Sequence, residues 1–413
     1  MERRLRILVT FLLAVLTGNA QVQAAPSKCA ESAPRVFSLS VATLQTLRRE
    51  ARDSQAAKDP AIAQLRKEAD AALKQEPLSV TEKSSTPPSG DKHDYLSLAP
   101  YWWPDPDKPN GLPYIRHDGK TNPEIEKVQD HKNFDKVIAK THTLALAYYI
   151  FGDQLYAEHA TRLLRTWFLD PQRRMNPNLE YAQGIPGIKP GRGTGLIETR
   201  GLYRLVDAIG LLAGCKSWTA ADQEGIEDWF AKFLDWMQNS QNGRDEAAAK
   251  NNHGTYYDVQ VVSLALFVGK TKVAKEVLEA AREKRIALQI ESDGRQPLEL
   301  ERTKALGYST MNLAGLFELA QLGDCADVEL WNFQTSDGRS IQKALAYLVP
   351  FVSGQEKWPY PQIVQYQVEE ISPLLVVAAV KFKEPRYKDL ALKIDPSIAR
   401  KIEVLSLVGQ TTP

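Results

Sequence analysis

Apolar residues recur every three to four positions in segment after segment, and this pattern constrains the chain most. That spacing lays them along one face of a helix. Phe134, Val137, Ile138, Thr141, Ala145 and Tyr148 follow it across 134–151, up to Gly152. Leu202, Leu205, Ile209 and Leu212 follow it across 197–213, up to Gly214. Trp229, Phe233, Trp236 and Met237 form another stripe, and Val273, Val277, Leu278 and Ala281 the next. Further helical stretches are predicted near 311–322, 340–352, 371–382 and 386–394. Strand-like alternation is scarce, so the chain reads as all-α. No motif repeats at a fixed period, which argues against a tetratricopeptide or ankyrin array. Stacked antiparallel hairpins sharing one core predict a closed or arched arrangement, an α/α toroid or incomplete α/α barrel.

Residues 1–24 read as an export signal. Arg3, Arg4 and Arg6 precede the apolar run Ile7–Leu16, and Val22-Gln23-Ala24 fits the small-residue rule for cleavage. The run is too short for a permanent membrane span, and no later stretch reaches about 18 uninterrupted apolar residues. The mature protein, 25–413, is therefore expected in a periplasm or outside the cell, as a single domain. The chain carries a formal charge of +1; residues 1–24 account for +2 of it, leaving −1 for the remainder. No global basic field exists to attract nucleic acid, so a polyanion would need a local cluster. Cys29, Cys215 and Cys325 allow one intrachain disulfide with one thiol left over, in any pairing, and none has metal-ligand spacing.

Two long loops interrupt the helices. Residues 84–123 are rich in Pro, Gly and Asp yet carry Tyr95, Tyr101, Trp102, Trp103 and Tyr114. Residues 170–195 hold Arg173, Arg174, Lys189 and Arg192 among glycines and prolines. Loops of this length in a compact domain usually bind something or are disordered, and dense aromatics argue against disorder in the first. It reads as a lid whose flat rings stack on the apolar faces of sugars.

The reactive side chains concentrate in two segments. In Lys250-Asn251-Asn252-His253-Gly254-Thr255-Tyr256-Tyr257-Asp258, Thr255 and Asp258 have capping-box spacing. A helix start near Tyr256 is therefore expected, with Asn252 and His253 in the turn before it. In the segment from Leu298 to Ser309, Ser309 is the expected N-cap, which puts Tyr308 at a helix mouth and Arg302 in the approach loop. Free backbone N–H groups and the positive dipole end favour an anion at each mouth.

These two segments resemble the alginate lyase superfamily of polysaccharide lyases. Asn252-His253 is similar to the family's Asn-Asn-His motif, and Pro297 through Tyr308 to its second motif, where an Arg precedes the catalytic Tyr. The likeness extends from about Tyr95 to Trp358 and includes Glu198-Thr199-Arg200. Gly254-Thr255 stand where alginate-biosynthesis lyases carry Ser and aromatic residues, which marks a diverged branch with alginate, polymannuronate or glucuronan as expected substrate. The resemblance implies an α/α toroid, catalytic Asn252, His253, Arg302 and Tyr308, and substrate contacts from Tyr95, Trp102, Trp103, Glu198, Arg200 and Tyr256. It implies an anionic polysaccharide partner; the expected chemistry needs no redox cofactor, and no ligand cluster in the sequence demands a metal.

β-Elimination explains these residue types. The C5 proton lies α to a carboxylate, which must be neutralised or hydrogen-bonded before the proton can leave. Asn252 is expected to mute the carboxylate, aided by Glu198 if burial keeps it protonated. In mannuronate and glucuronate H5 and O4 share a side, so Tyr308 alone can take the C5 proton and protonate O4. Arg302 and the helix end are expected to favour its phenolate. His253 would orient or deprotonate Tyr308, or itself be the base for guluronate. Two rivals are a toroidal glycoside hydrolase using Glu198 with Asp258 or Glu299, and a non-catalytic polyuronate-binding protein.

Overall fold

The computed structural model describes Cys29, residues 32–52 and residues 59–407. The expected export signal lies outside the described residues. The helices are α1 (Val41–Glu50), α2 (Pro60–Ala72), α3 (Asp130–Phe151), α4 (Gln154–Leu164), α5 (Leu202–Leu212), α6 (Ala220–Asn239), α7 (Gln241–Ala247), α8 (Asn252–Phe267), α9 (Thr271–Ala281), α10 (Pro297–Leu300), α11 (Ala305–Ala326), α12 (Ile341–Val352), α13 (Ser372–Lys381), α14 (Pro385–Ile394) and α15 (Ile402–Leu405). The strands are short: β1 (Leu96–Leu98) pairs parallel with β4 (Tyr181–Gly184), and β2 (Trp102–Trp103) antiparallel with β3 (Ile115–Arg116).

Successive helices pack as hairpins: α3 on α4, α8 on α9, α11 on α12 and α13 on α14. Within them α3, α5, α8 and α11 pack each on the next and form the inner wall of an all-α toroid. Their sequences explain the placement. A helix that is apolar all round belongs inside, and in α8 every residue but His253 is buried. An outer helix is two-faced: α9 buries only Ala274, Leu278 and Ala281 and turns its Lys and Glu residues outward.

All four inner helices point the same way. Their first turns, or the turn just before α5, reach one cleft. Their other ends meet the N-terminal segment. There Arg35 donates to the carbonyls of Leu266 and Phe267 at the end of α8, at 3.3 and 2.5 Å. Asp207 of α5 accepts the Phe37 and Ser38 amides at 2.6 and 3.0 Å. A disulfide joins Cys29 to Cys325 near the end of α11, leaving Cys215 as a free buried thiol. Gly210 is required at this seam, because a Cβ there would sit 1.8 Å from the Arg35 carbonyl oxygen.

Several boundaries differ from expectation. Helix α8 begins at Asn252, with Asn251 as N-cap accepting the His253 amide at 3.3 Å. Asn is the stronger cap, and Thr255 is instead buried inside the helix, donating to Gln289 and Asn312. Helix α11 begins at Ala305 rather than after Ser309, which is buried within it. The stretch 197–213 divides into a 3-10 turn (Gly193–Thr199) and α5. No helix of the described residues is long and apolar enough to cross a membrane.

Candidate active site

The cleft at the N-terminal ends of the inner helices has a volume of about 840 Å³ and is lined by 31 residues from across the sequence. His131 and Lys132 come from the first turn of α3, Glu198 and Arg200 from the turn leading into α5, Asn252 and His253 from α8, and Tyr308 and Met311 from α11. The starts of α3, α8 and α11 around one cavity give it a positive dipole field suited to an anion.

His253 donates from Nδ1 to Glu246 Oε1 at 2.7 Å, since a carboxylate can only accept. That leaves Nε2 with the lone pair when the ring is neutral. Glu246 is almost fully buried on α7, seven residues upstream of the histidine it orients. Asn252 is held by Glu299, which accepts from its backbone N at 2.7 Å and from Nδ2 at 2.9 and 2.8 Å. Burial pushes the Glu299 carboxyl above its ordinary range, against the pull of these donors.

Tyr308 lies one turn into α11, its hydroxyl 2.7 Å from that of Tyr101. The Arg302 guanidinium stacks over the Tyr308 ring, 3.9 Å from its centroid, and is itself held by Asp118 at 3.2 and 3.0 Å. Arg302 does favour the phenolate, as expected. Burial and the neighbouring Tyr101 outweigh it, however, and push the Tyr308 phenol well above its usual value. The phenol is therefore the favoured form of Tyr308, and the pull of Arg302 toward the phenolate is only partial.

Of the residues expected to touch substrate, Trp102, Glu198 and Arg200 line the cleft and three do not. Tyr95 is buried in the core, donating to Glu198 Oε2 at 2.8 Å, so it supports Glu198 rather than stacking on sugar. Trp103 turns away, its indole donating to the Lys120 carbonyl at 3.0 Å. Tyr256 is buried against α11, its hydroxyl on the Met311 carbonyl at 3.1 Å. The segment 84–123 is thus partly core. Lys83, just before it, forms a buried ion pair with Asp130 of α3 at 2.8 Å. The carboxylates considered for hydrolysis are also engaged: Asp258 pairs with buried Arg285 at 2.7 Å, and neither Asp258 nor Glu299 lines the cleft.

Four residues outside the expected set complete the site: Tyr101, Asp118, Arg192 and Glu246. Tyr101 meets Tyr308 across 207 residues and Asp118 meets Arg302 across 184, separations at which no local pattern links the partners. Arg192 carried a local signal in its flanking Gly191 and Gly193.

A family model described as alginate lyase matches residues 79–358. Comparison with curated protein sequences returns no match. Among solved structures, an alginate lyase from Bacteroides ovatus superposes with a TM-score of 0.86 at 39% identity, covering 91% of this chain and 99% of its own. A histidine-to-alanine variant of alginate lyase A1-III complexed with tetrasaccharide superposes with a TM-score of 0.59, covering 93% and 99%; at 16% identity it shares the fold. With the family match spanning more than half the sequence, and close likeness sustained over nearly all of it, this chain belongs to the alginate lyase family and is a polysaccharide lyase.

Proposed function

We propose that the protein is exported and cleaves β-1,4-linked polyuronate, with mannuronate-rich alginate or glucuronan as substrate, leaving a 4,5-unsaturated uronate end. The observation that carries this reading is that His253, Tyr308 and Arg302 line one cleft, with Arg302 stacked over the Tyr308 ring and His253 Nδ1 held by Glu246. The Bacteroides ovatus relative, described as an alginate lyase, supports alginate as the substrate class. The Cys29–Cys325 disulfide supports export, since such bonds persist in oxidising compartments.

The chemistry follows from the proton inventory. Tyr308 rests as a neutral phenol, so it must lose its proton before acting as a base. His253 Nε2 is the acceptor in the cleft, and Glu246 holds the ring in the matching tautomer. The resulting phenolate is stabilised by Arg302 over its ring and by a hydrogen bond from Tyr101. It takes the C5 proton, the C4–C5 double bond forms as the C4–O4 bond breaks, and the same proton passes to O4. His253 then returns its proton to Tyr308. One phenol serves both steps only where H5 and O4 share a face, which is why mannuronate or glucuronate is the proposed unit.

Assaying polymannuronate, polyguluronate and glucuronan by the ultraviolet absorbance of the new double bond tests this. Absorbance should rise fastest on polymannuronate or glucuronan. Preference for polyguluronate would overturn the shared-face mechanism, and reducing ends appearing without absorbance would overturn elimination.

A further inference from the structure

The cations of the cleft differ in what balances them. Arg302 and Arg116 both pair with Asp118, and Lys132 pairs with Glu126. Lys189 is exposed to water, and Arg200 donates to the Ile197 carbonyl. Arg192 is different. It forms no ion pair among the described residues, its Nη2 donates to the neutral amide oxygen of Gln183 at 2.6 Å, and its Nε is sealed from water without a partner. Glu198 and Glu246 lie within electrostatic reach, but neither comes within ion-pair distance. Burial and repulsion from Arg116 lower its pKa to about 10, so it remains a cation at neutral pH. A partly buried charge without a counter-ion is costly.

The surrounding backbone is built to hold it. Gln183 adopts a left-handed conformation, φ 50°, rare outside glycine and strained for a residue with a side chain. Its amide is pinned to Ser97 Oγ at 2.7 Å, and Ser97 also donates to Glu198 at 2.7 Å. The glycines around Arg192 permit tight wedging. A Cβ at Gly191 would lie 1.9 Å from the Glu180 oxygen, at Gly193 2.6 Å from the Asn242 oxygen, and at Gly195 2.5 Å from the Ala182 Cβ. Strain and close backbone approach thus fix a guanidinium that has no anion of its own.

We propose that Arg192 is a carboxylate-binding residue of this cleft, its guanidinium offering the charge and the N–H groups not used by Gln183 to a uronate carboxylate of the bound chain. This rests on the polyuronate reading above. The test uses Tyr308→Phe to stop turnover and measures calorimetric binding of a mannuronate tetramer and of its methyl ester, with and without Arg192→Gln. Arg192→Gln should weaken the acid tetramer by about 10- to 100-fold and leave the ester unchanged, with Arg192→Lys intermediate and no variant melting below the wild-type protein. Equal weakening of both ligands would assign Arg192 a purely structural role and overturn the proposal, as would unchanged binding of the acid. The polyuronate reading is judged separately: a wild-type protein that yields no unsaturated product from any polyuronate sinks that reading, while the acid-against-ester comparison still decides Arg192.

Discussion

At the scale of single residues, the proposed elimination places the greatest burden on Tyr308, which it requires neutral at rest and ionised in turnover. Replacing it with Phe keeps the ring beneath Arg302 and removes only the hydroxyl shared with Tyr101. Turnover should fall by at least about a thousandfold, the upper part of the range for one proton-transfer group, with an unchanged circular dichroism spectrum. Arg302 opposes the forces that keep Tyr308 protonated. Arg302→Ala therefore makes the phenolate harder to reach, and the pH–rate profile should move to higher pH; an unmoved profile would remove Arg302 from that role. Asn252, His253, Arg302 and Tyr308, which line one cleft, were singled out in the sequence because the two segments that hold them resemble local family motifs. Glu246, Asp118 and Tyr101 orient them and were not, because each is brought in by another element. The placements of Tyr95, Trp103 and Tyr256 were misjudged for a related reason: an aromatic ring's type does not say which side of a loop or helix it occupies.

At the scale of elements, the periodicity located most helices, but the capping signals misplaced the starts of α8 and α11, which hold the candidate site residues. Helices α8 and α11 are buried on nearly every side, so no clear apolar stripe marks their starts, and capping signals had to serve instead. Asn251 outcompeted Thr255, which moved His253 from a turn into the first turn of α8. The closed end of the inner ring carries its own predictions. Cys325→Ser should lower the melting temperature by several degrees, the consequence of losing about 2–5 kcal/mol from a bond that ties the N-terminal segment to α11. Gly210→Ala would drive a methyl group into the Arg35 backbone and should also lower the melting temperature. Scanning calorimetry of both variants checks this; a Gly210→Ala protein as stable as wild type would contradict the close packing of this seam.

At the scale of the whole molecule, the toroid separates its two ends, with the reactive cleft at the helix starts and buried carboxyls beneath the N-terminal segment at the other. Asp207 and Glu318 are both pushed up to about 7, chiefly by burial. Each binds its proton more tightly folded than unfolded. The stability this confers is full below the ordinary carboxylate range and is lost as pH rises toward about 7. The melting temperature should accordingly be higher near pH 5 than near pH 8, and Glu318→Gln, which stays neutral and can still accept from Ser38, should flatten that dependence. An unchanged slope would argue against a protonated Glu318. For the cleft, mass spectrometry of oligomers released from polymannuronate gives the most direct measurement. Elimination through Tyr308 predicts that every newly formed non-reducing end is one water lighter than the saturated sugar, with such ends at least about a thousandfold fewer from Tyr308→Phe. Newly formed saturated ends from the wild-type protein, or unsaturated ends formed undiminished by Tyr308→Phe, would contradict it.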